Sequence, residues 1–353
     1  MFRRIRVGRV RKGLNTRRGT LTTAETKKNI YFFEEQQNAD FKEKAWGDAS
    51  EIYDRSFGNK FRAYAKTSLD YISKNTTRIV DIGCGSGALF DVLKENKFRN
   101  VSSYVGVDFS QDMVDVCNSK RGSTDDVASF RVANGEDLTC ISTNSKDLAV
   151  ALFSVIFFPR RNRGLSEMYR VLDHDGIALV SGWSLVKKLE WVYFSNQAMK
   201  RVLETYEPER TALKSLTGRQ AGVPNFLAWS DPESLRLEMQ SANFQDVRTF
   251  ENTKRFFMPT PSSCESLWRD MSHSFPTIKF LLTELYEHES IIRMFPNNDT
   301  RQERKEKFEN EIATSFAQII GERGALSQQD CDEHYGYLDG TAIFGVGYKK
   351  GRA

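Results

Sequence analysis

The ten residues Ile79–Ala88, which read IVDIGCGSGA, decide how the chain folds. A mostly apolar stretch runs straight into three alternating glycines, and a helical pattern follows them. Glycine adopts backbone angles that other residues avoid, and the first turn of a helix presents free N–H groups. The pattern predicts a strand, a tight turn that lets the backbone approach a ligand, and a helix that begins at the ligand.

The residues that follow this turn alternate between short apolar strands and amphipathic helices. The predicted strands are Arg78–Ile82, Tyr104–Asp108, Phe130–Ala133, Leu148–Phe153 and Gly176–Ser181, and the predicted helices between them are Ala88–Lys94, Gln111–Ser119 and Gly164–Leu172. Such alternation is typical of an α/β fold with a doubly wound, Rossmann-like parallel sheet. Further along, we expect helices at 186–206 and 231–242 and a strand at Asp246–Phe257. A long, mostly helical segment that includes Arg301–Phe316 leads to a last strand at Thr341–Tyr348.

Two carboxylates beside the glycine turn indicate which nucleotide it holds. Gly83, Gly85 and Ala88 formally satisfy the dinucleotide fingerprint, which is a weak signal alone. Asp81 precedes the first glycine by two residues, where it would repel a pyrophosphate and attract an ammonium group. Asp108 ends the second strand, and a carboxylate there accepts both hydroxyls of a ribose.

The segment after the third strand completes the ligand. Asn134 offers an amide carbonyl, and a neighbouring backbone N–H is available, so together they could meet the edge of an adenine. The implied ligand has an amine, a ribose and an adenine and needs no phosphate. S-adenosylmethionine fits that description, and a nicotinamide dinucleotide is disfavoured.

Four segments resemble, in order, the motifs of the class I S-adenosylmethionine-dependent methyltransferases. They are DIGCGSG at 81–87, VGVDFSxxM at 105–113, ANGEDL at 133–138 and EMYRVLxxxG at 167–176. The third is most similar to the branch (methyltransferase type 11) that contains ubiquinone/menaquinone-type and related small-molecule methyltransferases. The resemblance covers roughly residues 78–184, with weaker similarity at Trp229–Leu235 and in the last strand. It implies a seven-stranded sheet whose last strand runs antiparallel, here with helical lid insertions.

The resemblance also implies a role for ten positions. These are Asp81, Gly83, Gly85 and Gly87 around the methionyl part, Asp108 at the ribose, Phe109 packed on the adenine, Asn134, Gly135 and Glu136 at the adenine edge, and Phe153 beneath the cofactor.

The acceptor is expected beneath the extra helical segments, because ligands bind outside the carboxyl ends of parallel strands. These segments are rich in aromatic residues, namely Trp183, Trp191, Tyr193, Phe194, Phe226, Trp229, Phe256, Phe257, Trp268, Phe275 and Phe280. They predict an apolar acceptor pocket, and the alternative is that they fill the core of the lid itself. No (N/D)PPY sequence follows the fourth strand, which disfavours an amino group on DNA as the acceptor.

No catalytic base stands out in the sequence. Candidates in the overhanging segments and the N-terminal cap are His273, His288, His334 and Tyr53, and His334 is the first choice as a catalytic residue. The four histidines and five cysteines show no metal-ligand spacing, so no metal site is expected.

The net charge of +4 is concentrated at the N-terminus. Residues 1–24 hold eight basic side chains and no acid, whereas the rest of the chain carries 43 of the 51 basic residues and all 47 acidic ones. The body therefore shows no electrostatic footprint for nucleic acid, and only the basic tail could contact RNA. The tail is typical either of a mitochondrial presequence or of a disordered extension, so a cytoplasmic and a mitochondrial location both stay open. No apolar run is long enough for a membrane-spanning helix.

The sequence divides into five segments: the tail or presequence (1–24), a helical N-terminal cap (25–75), the S-adenosylmethionine-binding core (76–184), a helical connection (185–245), and the last two strands with a lid insertion (246–353, insertion 258–338). The expected function is methyl transfer from S-adenosylmethionine to a small, apolar or aromatic organic acceptor. Methylation of RNA or protein, and a non-catalytic regulatory or assembly role, stay open as alternatives. The sequence makes no prediction of an oligomeric state.

Overall fold

A computed structural model describes residues 50–72, 75–97, 100–121, 126–206, 228–229, 231–275, 282, 292, 300–326 and 334–351. The predictions made for the tail 1–24, for the cap residues 25–49, and for Phe226, Phe280 and His288 lie outside the described residues.

One mixed sheet of seven strands organises the chain. The strands are β1 (Arg78–Ile82), β2 (Ser103–Asp108), β3 (Ala128–Val132), β4 (Lys146–Leu152), β5 (Leu172–Trp183), β6 (Gln245–Met258) and β7 (Gly336–Lys349). Their spatial order is β3-β2-β1-β4-β5-β7-β6. The first five strands pair in parallel, and β7 lies antiparallel between β5 and β6. The predicted Rossmann-like sheet with an antiparallel last strand is confirmed.

Some helices connect the strands, and others form a separate group above the carboxyl ends of the parallel strands. They are α1 (Ser50–Ala65), α2 (Ala88–Glu95), α3 (Gln111–Arg121), α4 (Arg161–Val171), α5 (Glu190–Tyr206), α6 (Pro232–Ser241), α7 (Pro261–Ser274) and α8 (Arg301–Leu326). Short 3₁₀ helices cover Lys66–Tyr71, Val155–Phe157 and Val186–Lys188. None of the helices described is both long and apolar enough to cross a membrane.

Two strand boundaries differ from those that the sequence pattern predicts. β7 pairs with β6 from Gly336 opposite Met258 onward, so it begins five residues before the predicted Thr341, and residues 336–338 belong to the strand rather than to the lid insertion. β4 ends at Leu152, one residue before the prediction, because Phe153 has a φ of 56° that no strand residue adopts. The first difference depends on pairing between residues that are far apart in the sequence, and the second depends on the backbone conformation of Phe153.

The apolar side chains form two clusters. The larger one covers the sheet and the helices that flank it. The smaller one lies among α1, α5, α7 and α8 and contains Phe194, Trp268 and Phe316, with Phe275 packed against it. Phe61 and Trp191 contact both clusters. Of the described residues of the predicted aromatic lid, some fill a core of their own and some pack against the sheet, whereas Phe257 is exposed.

Candidate functional site

The glycine turn is fastened to the neighbouring strand by its backbone. The N–H groups of Gly83 and Cys84 donate to the carbonyl oxygen of Val107, at 2.7 and 3.0 Å. Gly83 has a φ of 68°, and a Cβ atom there would lie 2.3 Å from Cβ of Ser154. No other residue fits at this position, so the first glycine sets the path of the turn.

The second glycine faces open space. Gly85 has a φ of 52°, and a Cβ atom there would meet no atom within 4 Å. Its N–H donates to Oδ2 of Asp108 at 2.9 Å. Gly87, with a φ of 90°, is the N-cap of α2, and a Cβ atom there would lie 3.1 Å from Sγ of Cys117. Gly85 thus leaves room for a ligand, whereas Gly87 serves the start of the helix.

Two buried carboxylates stand on either side of this turn. Asp81 accepts a hydrogen bond from the Tyr104 hydroxyl at 2.6 Å, and burial raises its pKa to about 7 in spite of that bond, with a smaller contribution from the charge of Asp108. Burial also raises the pKa of Asp108, although backbone N–H groups, including those of Ser110 and Gly85, donate to it. A buried carboxylate without a cation is costly, so the pair is suited to a positively charged ligand.

A cavity of about 590 Å³ opens beside these groups, and a smaller one of about 50 Å³ adjoins it. The two share Tyr53, Gly83, Gly85, Leu152 and Phe153 in their walls. Nine of the ten predicted cofactor positions line one or both: Asp81 the smaller; Asp108, Phe109, Asn134, Gly135 and Glu136 the larger; and Gly83, Gly85 and Phe153 both. Gly87 lines neither. The structure thus brings nine of these residues together, and their individual contacts with a ligand remain predictions.

The predicted adenine end is shaped by hydrogen bonds within the loop after β3. Oδ1 of Asn134 accepts the N–H of Glu136 at 2.9 Å, which orients the amide while leaving the oxygen a second lone pair. The Glu136 carboxylate accepts the backbone N–H of Arg160 at 2.5 Å and its Nε–H at 3.0 Å. Glu136 therefore holds the segment that carries Arg160, and the contact with the adenine edge that the resemblance implied for it stays a prediction.

Phe153 occupies a strained position at the end of β4. It has a φ of 56°, a conformation that costs an aromatic residue of the order of 1–3 kcal/mol. Its ring stacks on that of Trp183 with 4.0 Å between centroids, and its N–H donates to the carbonyl oxygen of Ser181 at 3.2 Å. The surrounding contacts hold this side chain in the wall shared by both cavities.

Tyr53 of α1 lies in the wall of both cavities. Its ring stacks on Phe61 with 5.2 Å between centroids. Burial, and to a lesser extent the charge of Asp108, raises the pKa of the Tyr53 phenol far above its ordinary value. The phenol is therefore neutral near pH 7, and the role of catalytic base that the sequence suggested for Tyr53 stays a prediction.

The described histidines lie on the surface. His334 is exposed, with its ring 4.8 Å from that of Phe257, and it does not occur among the described residues that line the two cavities. His273 is also exposed, and its Nδ1 lies 2.6 Å from the carbonyl oxygen of Arg269. A catalytic role for His334 stays a prediction.

Several wall residues were not predicted, and most follow β4. Phe157, Phe158, Pro159 and Arg160 belong to one short segment beyond the carboxyl end of that strand. A Cβ atom on Gly135 would lie 2.3 Å from Cζ of Phe158, so this glycine allows the aromatic ring to pack against the loop. Their position after β4 is itself an indication, because residues at this edge of a parallel sheet surround its ligand. The sequence alone does not say which of their side chains point into the cavity.

Comparisons with known proteins agree with this geometry. Residues 80–180 match a family model described as a methyltransferase domain. The chain is 33% identical over 150 residues to the ubiquinone/menaquinone biosynthesis C-methyltransferase of Geotalea uraniireducens, a match that covers 39% of this chain and 61% of that protein. It is 29% identical over 129 residues to the carboxy-S-adenosyl-L-methionine synthase of Actinobacillus pleuropneumoniae, covering 36% of this chain and 50% of that one.

Two further matches are also of low sequence identity. The juvenile hormone acid O-methyltransferase of Bombyx mori is 29% identical over 104 residues, or 29% of this chain and 37% of that protein. Among solved structures, the YcgJ protein of Bacillus subtilis superposes with a TM-score of 0.45 at 15% identity, covering 83% of this chain and 99% of that one. The fold assignment rests on the strand order rather than on this loose superposition.

The matched region coincides with the strands and loops that form the cavity. It spans β1 to β5 and includes both buried carboxylates and the glycine turn. The chain spans about half the length of the first curated relatives it matches. The site also fits the cofactor of this family, because Gly85 leaves space and two buried carboxylates call for a cation. The chain carries, over residues 80–180, a class I S-adenosylmethionine-dependent methyltransferase domain.

Proposed function

We propose that the protein as a whole transfers the methyl group of S-adenosylmethionine to a small organic acceptor with an apolar or aromatic body. The observation that carries this proposal is the aromatic wall of the 590 Å³ cavity, where Tyr53, Phe153, Phe157 and Phe158 lie beside the glycine turn and Asp108. A pocket with mostly apolar walls and a few convergent polar groups is typical of a small-molecule site.

Methyl transfer is an in-line displacement in which S-adenosylmethionine supplies the activated methyl group. The chain contributes position and environment. Asp108 would accept the ribose hydroxyls, and Asp81 would pair with the positively charged methionyl part. Phe153 and Tyr53 would exclude water from the space where the acceptor approaches, which favours a fixed alignment of the two reactants.

The acid–base groups of the described cavity favour a particular kind of nucleophile. Glu136 is bound to Arg160, the two aspartates are assigned to the cofactor, and the Tyr53 phenol is neutral. Of the described wall residues, none is therefore placed as a general base. An acceptor whose nucleophile is unprotonated near pH 7, such as a carboxylate or an acidic enol, suits this site best. One relative is named for an organic acid, juvenile hormone acid, and others are named for ubiquinone/menaquinone biosynthesis.

The experiment that tests the proposal measures transfer of a labelled methyl group to a panel of apolar carboxylic acids, quinols and phenols. The Asp108→Ala variant should lose binding of S-adenosylmethionine, because the carboxylate's charge-assisted hydrogen bonds contribute about 1.5–3 kcal/mol each. Asp112→Ala, which removes an exposed carboxylate on the adjacent α3, is the matched control and should bind as the parent does.

Three results would contradict the proposal. Near-normal affinity of a folded Asp108→Ala variant would remove the cofactor assignment. Transfer to RNA or protein alone, abolished by deletion of residues 1–24, would favour the macromolecular alternative. Transfer to no acceptor despite tight cofactor binding would favour a non-catalytic role.

The location of the protein stays a proposal with two alternatives, cytoplasmic and mitochondrial. Mass spectrometry of the N-terminus of protein isolated from its natural source distinguishes them, because cleavage near residue 24 is expected only for a presequence.

A further inference from the structure

A second cavity lies on the other side of α1. It has a volume of about 630 Å³, and its walls come from α1, from the end of β6 and from α7. None of its described wall residues also lines the cofactor cavity. It is therefore a separate groove, and nothing in the methyl-transfer reaction uses it.

One side of this groove is apolar. Phe256, Phe257, Met258 and Pro259 follow one another at the end of β6, and Leu267 faces them from α7. Phe257 remains 46% exposed. Phe256 packs against the larger apolar cluster, and Met258 and Leu267 are buried, so among the described wall residues Phe257 offers the exposed aromatic ring that a ligand could cover.

The polar side of the groove carries three cations, of which two are paired. Arg255 donates to both carboxylate oxygens of Asp339, at 2.9 and 3.1 Å, and stacks on the ring of Tyr337. Arg55 lies 3.6 Å from Asp270, whose carboxylate also accepts the Ser56 hydroxyl. Each of these two guanidinium groups therefore has a carboxylate partner in the protein.

Lys60 is the third cation, and it forms no ion pair with any residue that the structure describes. Its Nζ donates to the carbonyl oxygen of Ser56 at 2.8 Å and lies 5.6 Å from the Phe57 ring. Burial lowers the pKa of this ammonium group, and the nearby charge of Asp270 only partly opposes that effect. An ammonium group has three donors, so two remain for a ligand.

We propose that this groove binds an amphiphilic monocarboxylate, with its carboxylate on Lys60 and its apolar chain along Phe257 and Leu267. Charge complementarity selects the head group, because one unpaired cation balances one negative charge. A phosphate monoester carries nearly two charges near neutral pH and would leave one of them uncompensated. A chain laid over the exposed ring of Phe257 removes apolar surface from water.

The test is a calorimetric titration of the full chain with decanoate, below its micelle-forming concentration. Saturable binding at the groove is expected, in addition to any binding of this apolar carboxylic acid in the acceptor cavity. Decanol and decyltrimethylammonium should bind at least about ten-fold more weakly, because a charge-assisted hydrogen bond is lost. Decyl phosphate should also bind more weakly than decanoate.

Variants localise the site. Lys60→Met retains the apolar stem and should weaken decanoate binding about ten-fold or more, whereas Lys66→Met, which removes an exposed lysine just beyond α1, should not change it. Phe257→Ser should weaken binding several-fold, and because this side chain is exposed the variant should fold normally. Unchanged affinity of S-adenosylmethionine in each variant shows that the fold is intact.

Several results would overturn the proposal. These are the absence of saturable decanoate binding, equal binding of decanol, tighter binding of decyl phosphate, and an unchanged decanoate affinity in Lys60→Met. The Lys60 and Phe257 variants distinguish the groove from the methyl-transfer site, because neither residue lines the cofactor cavity.

Discussion

At the scale of single residues, the central feature is the carboxylate of Asp81, which the fold buries although burial disfavours its charged form. Asp81 is buried, and its pKa is raised to about 7. The folded, ligand-free protein therefore binds this proton more tightly than the unfolded chain does. Between about pH 4 and pH 7 the free energy of unfolding should fall as the pH rises, because the folded state must then hold a buried charge.

Replacing Asp81 by Asn should separate stability from binding. The amide still accepts the Tyr104 hydroxyl but carries no charge, so the ligand-free variant should be more stable than the parent at pH 8, by roughly 1–3 kcal/mol. Its affinity for S-adenosylmethionine should fall at the same time. Chemical denaturation and calorimetry at pH 8 measure both. A variant that is less stable than the parent would contradict the account.

The same carboxylate predicts a pH dependence of binding. Below its pKa of about 7, Asp81 is protonated and no longer attracts the positively charged cofactor. The affinity of the parent protein should therefore fall between pH 8 and pH 6, and Asp81→Asn should show little change over that range. Equal slopes for the two proteins would assign the effect to another group.

Glu136 provides a second residue-scale prediction. Its carboxylate is bound to the backbone N–H and to the guanidinium of Arg160. Arg160→Met removes only the guanidinium, so it should weaken cofactor binding no more than Glu136→Gln does, and the double variant should be no weaker than Glu136→Gln alone. A double-mutant cycle measures this coupling, with Arg163→Met as the control on the exposed side of α4. A much larger loss for Glu136→Gln alone would indicate direct contact with the adenine.

At the scale of elements, two glycines of the turn have different roles: Gly83 sets the path of the backbone, and Gly85 leaves space for the ligand. Gly83→Ala should destabilise the fold by about 2 kcal/mol or more, because it adds positive-φ strain and a clash at 2.3 Å with Ser154. Gly85→Ala meets no atom within 4 Å, so it should cost only about 1 kcal/mol of strain while placing a methyl group in the ligand space. Thermal unfolding and calorimetry distinguish the two effects. A smaller loss of stability in Gly83→Ala than in Gly85→Ala would contradict this division.

The sequence predicts the core elements well for a local reason. β1, the turn and α2 are specified by adjacent residues: a buried strand, three glycines and a helix with one apolar face. The extent of β5 and β7 depends instead on pairing between residues that are far apart in sequence, such as Trp183 with Ala342. Likewise, the sequence placed Asp81 and Asp108 correctly at strand ends, but the pairing of Glu136 with Arg160 required the folded loop.

At the scale of the whole molecule, the sheet and the lid helices are joined by charge as well as by apolar contact. Arg323 of α8 pairs with Glu190 of α5 and with Asp339 of β7, and its guanidinium stacks on Tyr337. Because Phe61 and Trp191 also contact both apolar clusters, we expect the lid to unfold together with the sheet rather than independently.

Thermal unfolding tests this expectation. Far-ultraviolet and near-ultraviolet circular dichroism should follow one transition. S-adenosylmethionine at about 100 times its Kd should shift that whole transition upward, since binding at this excess stabilises a folded protein by about 2.7 kcal/mol. An earlier, cofactor-insensitive loss of aromatic signal would indicate that the lid is an independent unit.

The most direct test of the central claim is a calorimetric titration of the full chain with S-adenosylmethionine and, separately, with NADH. The two buried carboxylates beside the glycine turn predict micromolar binding of S-adenosylmethionine and none of NADH, whose pyrophosphate would meet Asp81. Binding of NADH alone, or of neither ligand, would contradict the account.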